Sequence, residues 1–310
     1  MKTFKLNLFI KLIFTIFLIC SFPTHAMTFG VEEKNGVSDY CQWHLTGEIT
    51  PKDADKAAKI FKNRLNKCNN STDWKAGGAS VYLNSNGGDL AAAYVIGRIL
   101  RANEVHTKID KNSKCFSACV LIYLAGVDRS IYPPRTQLGI HRPYFADIGT
   151  GFSLNDIKTI RARQMDTMKT YLNEMDIPLS LADAMMSIPP DSIKILTYEE
   201  IEAFRLNGMD ASFEEKRNAI LAGRYQLSSG DYRRLYAQAE ERCNIGKLRY
   251  ELTNEEDQEL QDCKEAVLWR LSLTKYKQRA INVSDQCAER LPLHDHDQIF
   301  KCARKIFLAP

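Results

Sequence analysis

Leu83-Asn84-Ser85-Asn86-Gly87-Gly88-Asp89 and Cys115-Phe116-Ser117-Ala118-Cys119 decide how this chain is read, and His141, in Leu138-Gly139-Ile140-His141-Arg142-Pro143, completes them. The first segment follows a short apolar run with strand character, 79–83, and precedes 89–101, where Ala92, Val95, Ile96 and Ile99 recur at helical spacing. A glycine pair between a strand and a helix turns the backbone sharply and leaves an N–H open to a ligand; alone, it is equally an ordinary tight connection. Ser117 begins an apolar, helix-length stretch, 116–125. Its N–H and that of Ala118 then fall among the unpaired donors of a first turn, where the helix dipole favours negative charge. A serine there also reads as a plain N-cap, and a lone histidine at a strand end is usually structural. Together, however, a nucleophile, a base and a glycine turn that presents a backbone N–H to an oxyanion are the parts of an acyl-transfer site.

Outward from these segments the chain alternates. Strands are expected at 44–50, 79–83, 105–109 and 137–141, with helices at 54–65 (entered through Pro51) and 89–101. Alternation of this kind implies parallel pairing in one sheet with right-handed crossovers. The spacing turns helical over 154–172, a short helix follows at 178–186, and a last strand and helix are expected at 193–196 and 198–204. After about residue 212 the composition shifts to charge of both signs with apolar residues at helical spacing and four cysteines. The expected organisation is therefore 1–26 leader, 27–211 α/β domain, and 212–310 helical C-terminal region.

The leader has a secretory pattern. Lys2 and Lys5 precede the apolar run 8–20, and Thr24-His25-Ala26 offers small-residue cleavage. Cys20 lacks the small residues that precede a lipidated cysteine. The formal net charge is +4, and loss of Lys2, Lys5 and Lys11 leaves about +1, with no basic patch for nucleic acid and no acidic tail. Nine cysteines become eight without Cys20. An even number in an exported chain points to disulfides rather than metal; Cys41 with Cys68, Cys243 with Cys263, and Cys287 with Cys302 are the near-neighbour pairings. Neither a metal site nor a cofactor is expected.

The order strand, Asn-Ser-x-Gly-Gly, helix, strand, x-Ser-Ala at a helix start, apolar helix ending Ala-Gly, then x-Ile-His-x-Pro resembles the Clp protease proteolytic subunit family within the crotonase-like superfamily. It is closer still to exported relatives with a Cys-x-Ser-Ala-Cys serine segment. The resemblance covers about 43–208 and leaves the tail out. It implies an α/β fold, a Clp-protease/crotonase-like core of repeated β-β-α/βα units, followed by a helical, cysteine-containing appendage. His141 follows Ser117 by 24 residues, close to the family's spacing.

By that resemblance Ser117 is the nucleophile, His141 the general base, and the N–H groups of Gly88 and Ala118 the oxyanion hole, each such donor being worth about 10²–10³ in rate. Asp191, in Ile188-Pro189-Pro190-Asp191-Ser192, takes the third place and would fix the imidazole tautomer. Asn86 and Asp89 depart from the family pattern; Asp89 either sets a negative charge beside the oxyanion site or caps its helix. Cys115 and Cys119 either form a disulfide that stiffens the turn or leave a reactive thiol. Lys169 lies 52 residues after Ser117, a spacing similar to that of the serine–lysine pair of signal peptide peptidase A, and is the alternative base. The reading is an exported, periplasmic or secreted serine peptidase that acts without ATP or an ATPase partner on peptides or unfolded chains, as a homo-oligomer. Its alternatives are a catalytically silent binding or scaffold protein on the same fold, and an acyl-CoA enzyme, which export disfavours because coenzyme A is intracellular.

Overall fold

The computed structural model describes residues 26–34, 37–69, 79–144, 153–244, 252–288 and 296–309. All of the expected leader but Ala26, Cys20 included, lies outside the described residues, as does the side chain of Cys68. Among the described residues, 26–66 and 79–207 form one compact unit, and 67–69 with 208–309 a second.

The first unit runs β1 (Thr28–Lys34), β2 (Val37–Thr46), α1 (Pro51–Asn69), β3 (Ser80–Asn84), α2 (Leu90–Ala102), β4 (His106–Ile109), β5 (Lys114–Phe116), α3 (Ala118–Leu124), β6 (Asp128–Ile131), β7 (Gln137–Ile140), α4 (Leu154–Glu174), α5 (Ser180–Ser187), β8 (Lys194–Ile195) and α6 (Tyr198–Ala203). In the larger sheet β1, β2, β3, β4 and β6 lie side by side. The hairpin β1–β2 is antiparallel and the remaining pairs are parallel, with Leu45 opposite Leu83, Val81 opposite Thr107, and Thr107 opposite Arg129. A smaller sheet orders β5, β7 and β8: β5 and β7 run parallel, with Phe116 opposite Gly139, and β8 returns antiparallel, with Gly139 opposite Ile195.

Two expectations are corrected. The strand at 137–141 does not join the larger sheet; β6 takes the place beside β4, and β7 pairs with β5 instead. The polar sequence Asp128-Arg129-Ser130-Ile131 hides β6 from a hydrophobicity reading. Arg129 is buried at its centre because its guanidinium donates to the carbonyls of Gly126 and Arg205 at 2.7 and 3.2 Å. The core face of α2 is also rotated from the expected one. Ala92, Ala93, Tyr94, Ile96, Gly97 and Leu100 are buried, whereas Val95 is 44 % exposed.

All seven residues of α3 are buried, so the segment that follows Ser117 is enclosed on every side and has little room to adjust. Tyr171 of α4 donates from its hydroxyl to the Leu121 carbonyl at 2.6 Å. Gly97 of α2 leaves the room: a Cβ there would stand 1.8 Å from that hydroxyl oxygen. The Tyr123 hydroxyl in turn donates to the Leu206 carbonyl at 2.8 Å. These ties fix α3, and with it the turn that carries Ser117.

The second unit is helical: α7 (Ala211–Arg224), α8 (Ser229–Arg242), α9 (Asn254–Leu268), α10 (Leu273–Val283), a π turn (Ser284–Ala288) and α11 (His296–Phe307). Asp210, Ser228, Thr253 and Ser272 cap the first four helices by accepting from first-turn N–H groups. Tyr225, Tyr232, Trp269 and Phe307 centre the core, with Trp269 and Phe307 stacked at 4.7 Å. Disulfides join Cys243 to Cys263 and Cys287 to Cys302, the near-neighbour pairings expected from the sequence. Among the described residues no helix is long and apolar enough to cross a membrane.

Candidate active site

The glycine turn is built by backbone pairing on one side. The Ile49 N–H donates to the Gly87 carbonyl and the Asp89 N–H to the Ile49 carbonyl, each at 2.8 Å. These bonds flank Gly88, so its own N–H faces the other way, and it has no partner among the described residues. Gly87 and Gly88 hold φ of +102° and +136°, values that a side chain resists. A Cβ on Gly88 would also come within 2.1 Å of the Ile49 carbonyl oxygen. The buried Ser85 ties the turn from within, its hydroxyl accepting from the Gly87 N–H at 3.1 Å. Asp89 is a helix cap: its carboxylate accepts from the Ala92 N–H at 2.7 Å.

Ser117 sits between β5 and α3 at φ +56°, ψ −125°, a conformation that costs a non-glycine residue about 1–3 kcal/mol. It occupies the N-cap position, yet its side chain makes no capping bond, and no hydrogen bond engages Oγ among the described residues. That sets the plain N-cap reading aside. A strained strand-to-helix turn that exposes a serine hydroxyl is the geometry of a nucleophile elbow. The Ala118 N–H, first in the helix, likewise has no partner among the described residues. The Cys115–Cys119 disulfide spans this turn, so neither sulfur is a free thiol.

Ser117 and the strand that leads to His141 are linked through the backbone of the small sheet. The Phe116 N–H donates to the Ser85 carbonyl and the Ser117 N–H to the Gly139 carbonyl, both at 3.0 Å. The first bond links the serine strand to the glycine turn, and the second links the serine to a residue two before the histidine. Ser117 and His141 thus follow the C-terminal ends of adjacent parallel strands. No hydrogen bond joins the Ser117 hydroxyl to the imidazole; a catalytic contact of this kind often tightens only in the substrate complex.

His141 is partly buried, and burial lowers its pKa below the ordinary 6.5, with the Arg142 backbone offsetting part of the effect. Its Nδ1 is buried without a hydrogen-bond partner among the described residues. Asp191 is exposed, in the turn closed by the Ser192 N–H on the Pro189 carbonyl, and makes no hydrogen bond to the imidazole. Its segment nevertheless runs along the end of β7: the Arg142 N–H donates to the Ile188 carbonyl at 3.1 Å, and Lys194 pairs with Ile140. Lys169 is engaged elsewhere, in an ion pair with Asp183 at 3.2 Å between α4 and α5. No cluster of metal-ligating side chains occurs among the described residues.

Sequence reasoning passed over two contributors. Gly139 matters as an acceptor for the serine N–H and as a space: a Cβ there would meet Ile193 and the Phe116 ring at 2.6 and 2.7 Å. Ser85 matters as the internal tie of the glycine turn. The Ser-x-Gly pattern was a usable signal for Ser85, since serine hydroxyls fold back onto the backbone two residues on.

Residues 50–178 match the family model for Clp protease, a span that contains Gly88, Ser117, Ala118, His141 and Lys169 and stops before Asp191. Similar solved structures include ClpP1 from Listeria monocytogenes, 19 % identical over 55 % of this chain and 89 % of that one with a TM-score of 0.39. A mutant of the same protein gives 19 % identity over 55 % and 90 %, with a TM-score of 0.41. A mutant of the 1510-N membrane-bound stomatin-specific protease is 16 % identical over 56 % and 82 %, with a TM-score of 0.38. No curated protein matches. The family match falls on the segment that carries the glycine turn, the serine elbow and the histidine strand, and residues 50–178 of this chain are similar to the Clp protease family.

Proposed function

We propose that this chain is an exported serine hydrolase, an ATP-independent peptidase that acts on peptides or unfolded chains as a homo-oligomer. The observation that carries the reading is Ser117 at positive φ with an uncommitted hydroxyl, its N–H bonded to Gly139 two residues before His141. In this scheme Ser117 Oγ attacks the substrate carbonyl and His141 takes the hydroxyl proton, later giving it to the leaving amine. The N–H groups of Gly88 and Ala118 hold the developing oxyanion. Water, activated by His141, then releases the acyl group. Asp191 would complete the triad by closing onto Nδ1, which is buried and unpartnered among the described residues.

That same Nδ1 favours a second reading, a silent binding protein on this fold, because an imidazole without a carboxylate is a poorly oriented base. A fluorophosphonate probe separates the two. The hydrolase is labelled, and Ser117→Ala and His141→Ala abolish or greatly slow the labelling. A wild-type chain that stays unlabelled from neutral to mildly alkaline pH is a binding protein.

A further inference from the structure

Resting on the hydrolase reading, we propose that the Cys115–Cys119 disulfide positions Ser117, and that the site is competent only when this pair is oxidised. The bond encloses Phe116, Ser117 and Ala118, that is, the nucleophile and one oxyanion donor, between Cα atoms 5.2 Å apart. Both of its ends are anchored. Cys115 lies in β5 between a bridge to Ser85 and its partner Leu138 in β7. Cys119 is the second residue of the wholly buried α3, and both cysteines are 0 % exposed.

Between these anchors Ser117 keeps φ +56°, a conformation that persists only where the surroundings over-determine it. Its own backbone has two local ties, its N–H to the Gly139 carbonyl and its carbonyl to the Val120 N–H. Relaxation about φ and ψ of Ser117 rotates the Ser117–Ala118 peptide plane, which swings the Ala118 N–H and moves Oγ together. The disulfide closes a covalent ring across the rotating bonds and blocks that relaxation. The hydroxyl and the oxyanion donor are therefore held by one crosslink.

Reduction reverses this. A dithiol gives one electron and one proton to each sulfur, leaving two cysteine thiols and becoming a cyclic disulfide itself. Because both sulfurs are buried, the reductant acts on opened or still-folding chains. A chain folded under reducing conditions carries an unorganised site, so activity is withheld until the chain folds where disulfides form.

The test compares wild type, Cys115→Ala/Cys119→Ala and Cys243→Ala/Cys263→Ala. Two quantities are read on each: the rate of fluorophosphonate labelling, and the Ser117 backbone conformation from its HN–Hα coupling and 13C shifts. The first variant should label at least about tenfold more slowly, as expected for a displaced donor, and lose the positive-φ signature while keeping its far-UV circular dichroism. The second should label at the wild-type rate despite a lower melting temperature. Labelling of the first variant within twofold of wild type, or retention of positive φ at Ser117, overturns the inference. If wild type itself is not labelled, the hydrolase reading fails and the conformational readout still decides whether the disulfide positions Ser117. Should the first variant not fold, wild type refolded from denaturant with and without dithiothreitol, with mass spectrometry to assign the open bridge, replaces it. Unchanged labelling and conformation with the 115–119 bridge open is then the overturning result.

Discussion

A methyl group on Gly87 would stand 2.7 Å from Cβ of Ser117 and 2.8 Å from the Phe116 carbonyl oxygen. The glycine turn and the serine elbow are therefore in contact through atoms that have little freedom to move. Gly87→Ala is expected to displace the elbow rather than merely crowd it, and φ +102° at position 87 adds backbone strain of about 1–3 kcal/mol. A shift near 1 Å at a reacting atom costs roughly 10²-fold, so fluorophosphonate labelling should fall by about that factor along with a lower melting temperature. Labelling at the wild-type rate would show that the two turns are not coupled.

Strain at Ser117 makes an ordering of stabilities that contact loss alone does not. Ser117→Ala keeps a Cβ at φ +56°, whereas Ser117→Gly removes it. Strain relief of about 1–3 kcal/mol outweighs the roughly 0.5–1 kcal/mol that glycine loses through the flexibility of the unfolded chain. The glycine variant should therefore be the more stable of the two, by up to about 2 kcal/mol, in chemical denaturation, and neither should be labelled. The reverse order would mean that the elbow is relaxed.

Much of this was legible in the sequence, for a physical reason. The run 79–83, the Gly87-Gly88 pair and the apolar spacing of 89–101 agree with one another, and β3, the turn and α2 form where they should. β1 was not legible, because Glu32, Glu33 and Lys34 give it no apolar alternation and it is defined by its hairpin with β2. β6 was hidden by Arg129, a buried cation whose carbonyl partners are Gly126 just before the strand and the distant Arg205. Ser117 and His141 could be singled out by residue type and spacing, but the positive φ and the uncommitted hydroxyl that distinguish an elbow from a cap are properties of the assembled backbone. Asp191 shows the limit of spacing: its segment runs along the end of β7, but its carboxylate makes no bond to the imidazole.

Burial sets the direction of the pH profile. The neutral imidazole is the base, and desolvation disfavours its charged form, so the His141 pKa lies below 6.5. The base stays competent as pH falls through the ordinary imidazole range, and the acid limb of the labelling rate, which reports the free enzyme, should sit below pH 6.5. A nearby carboxylate would move the limb the opposite way. Asp191→Asn should therefore slow labelling without shifting the limb. A limb above 6.5 that drops in Asp191→Asn would mean that Asp191 already faces the imidazole in the free protein.

Asp89 gives the sharpest separation of fold from chemistry. Its carboxylate caps α2 through the Ala92 N–H, and it immediately follows Gly88, the proposed oxyanion donor. Asparagine caps as well as aspartate, so Asp89→Asn should leave the melting temperature within about 1 °C while removing a negative charge from beside a site where negative charge develops. Labelling and ester hydrolysis should then rise by roughly two- to tenfold, the scale of one partly screened charge near the surface, and the gain should shrink with added salt. Asp89→Ala loses both the charge and the cap, and should destabilise by about 0.5–2 kcal/mol. If Asp89→Asn is slower than wild type while equally stable, the oxyanion does not form beside Gly88, and the donor must be sought on another segment.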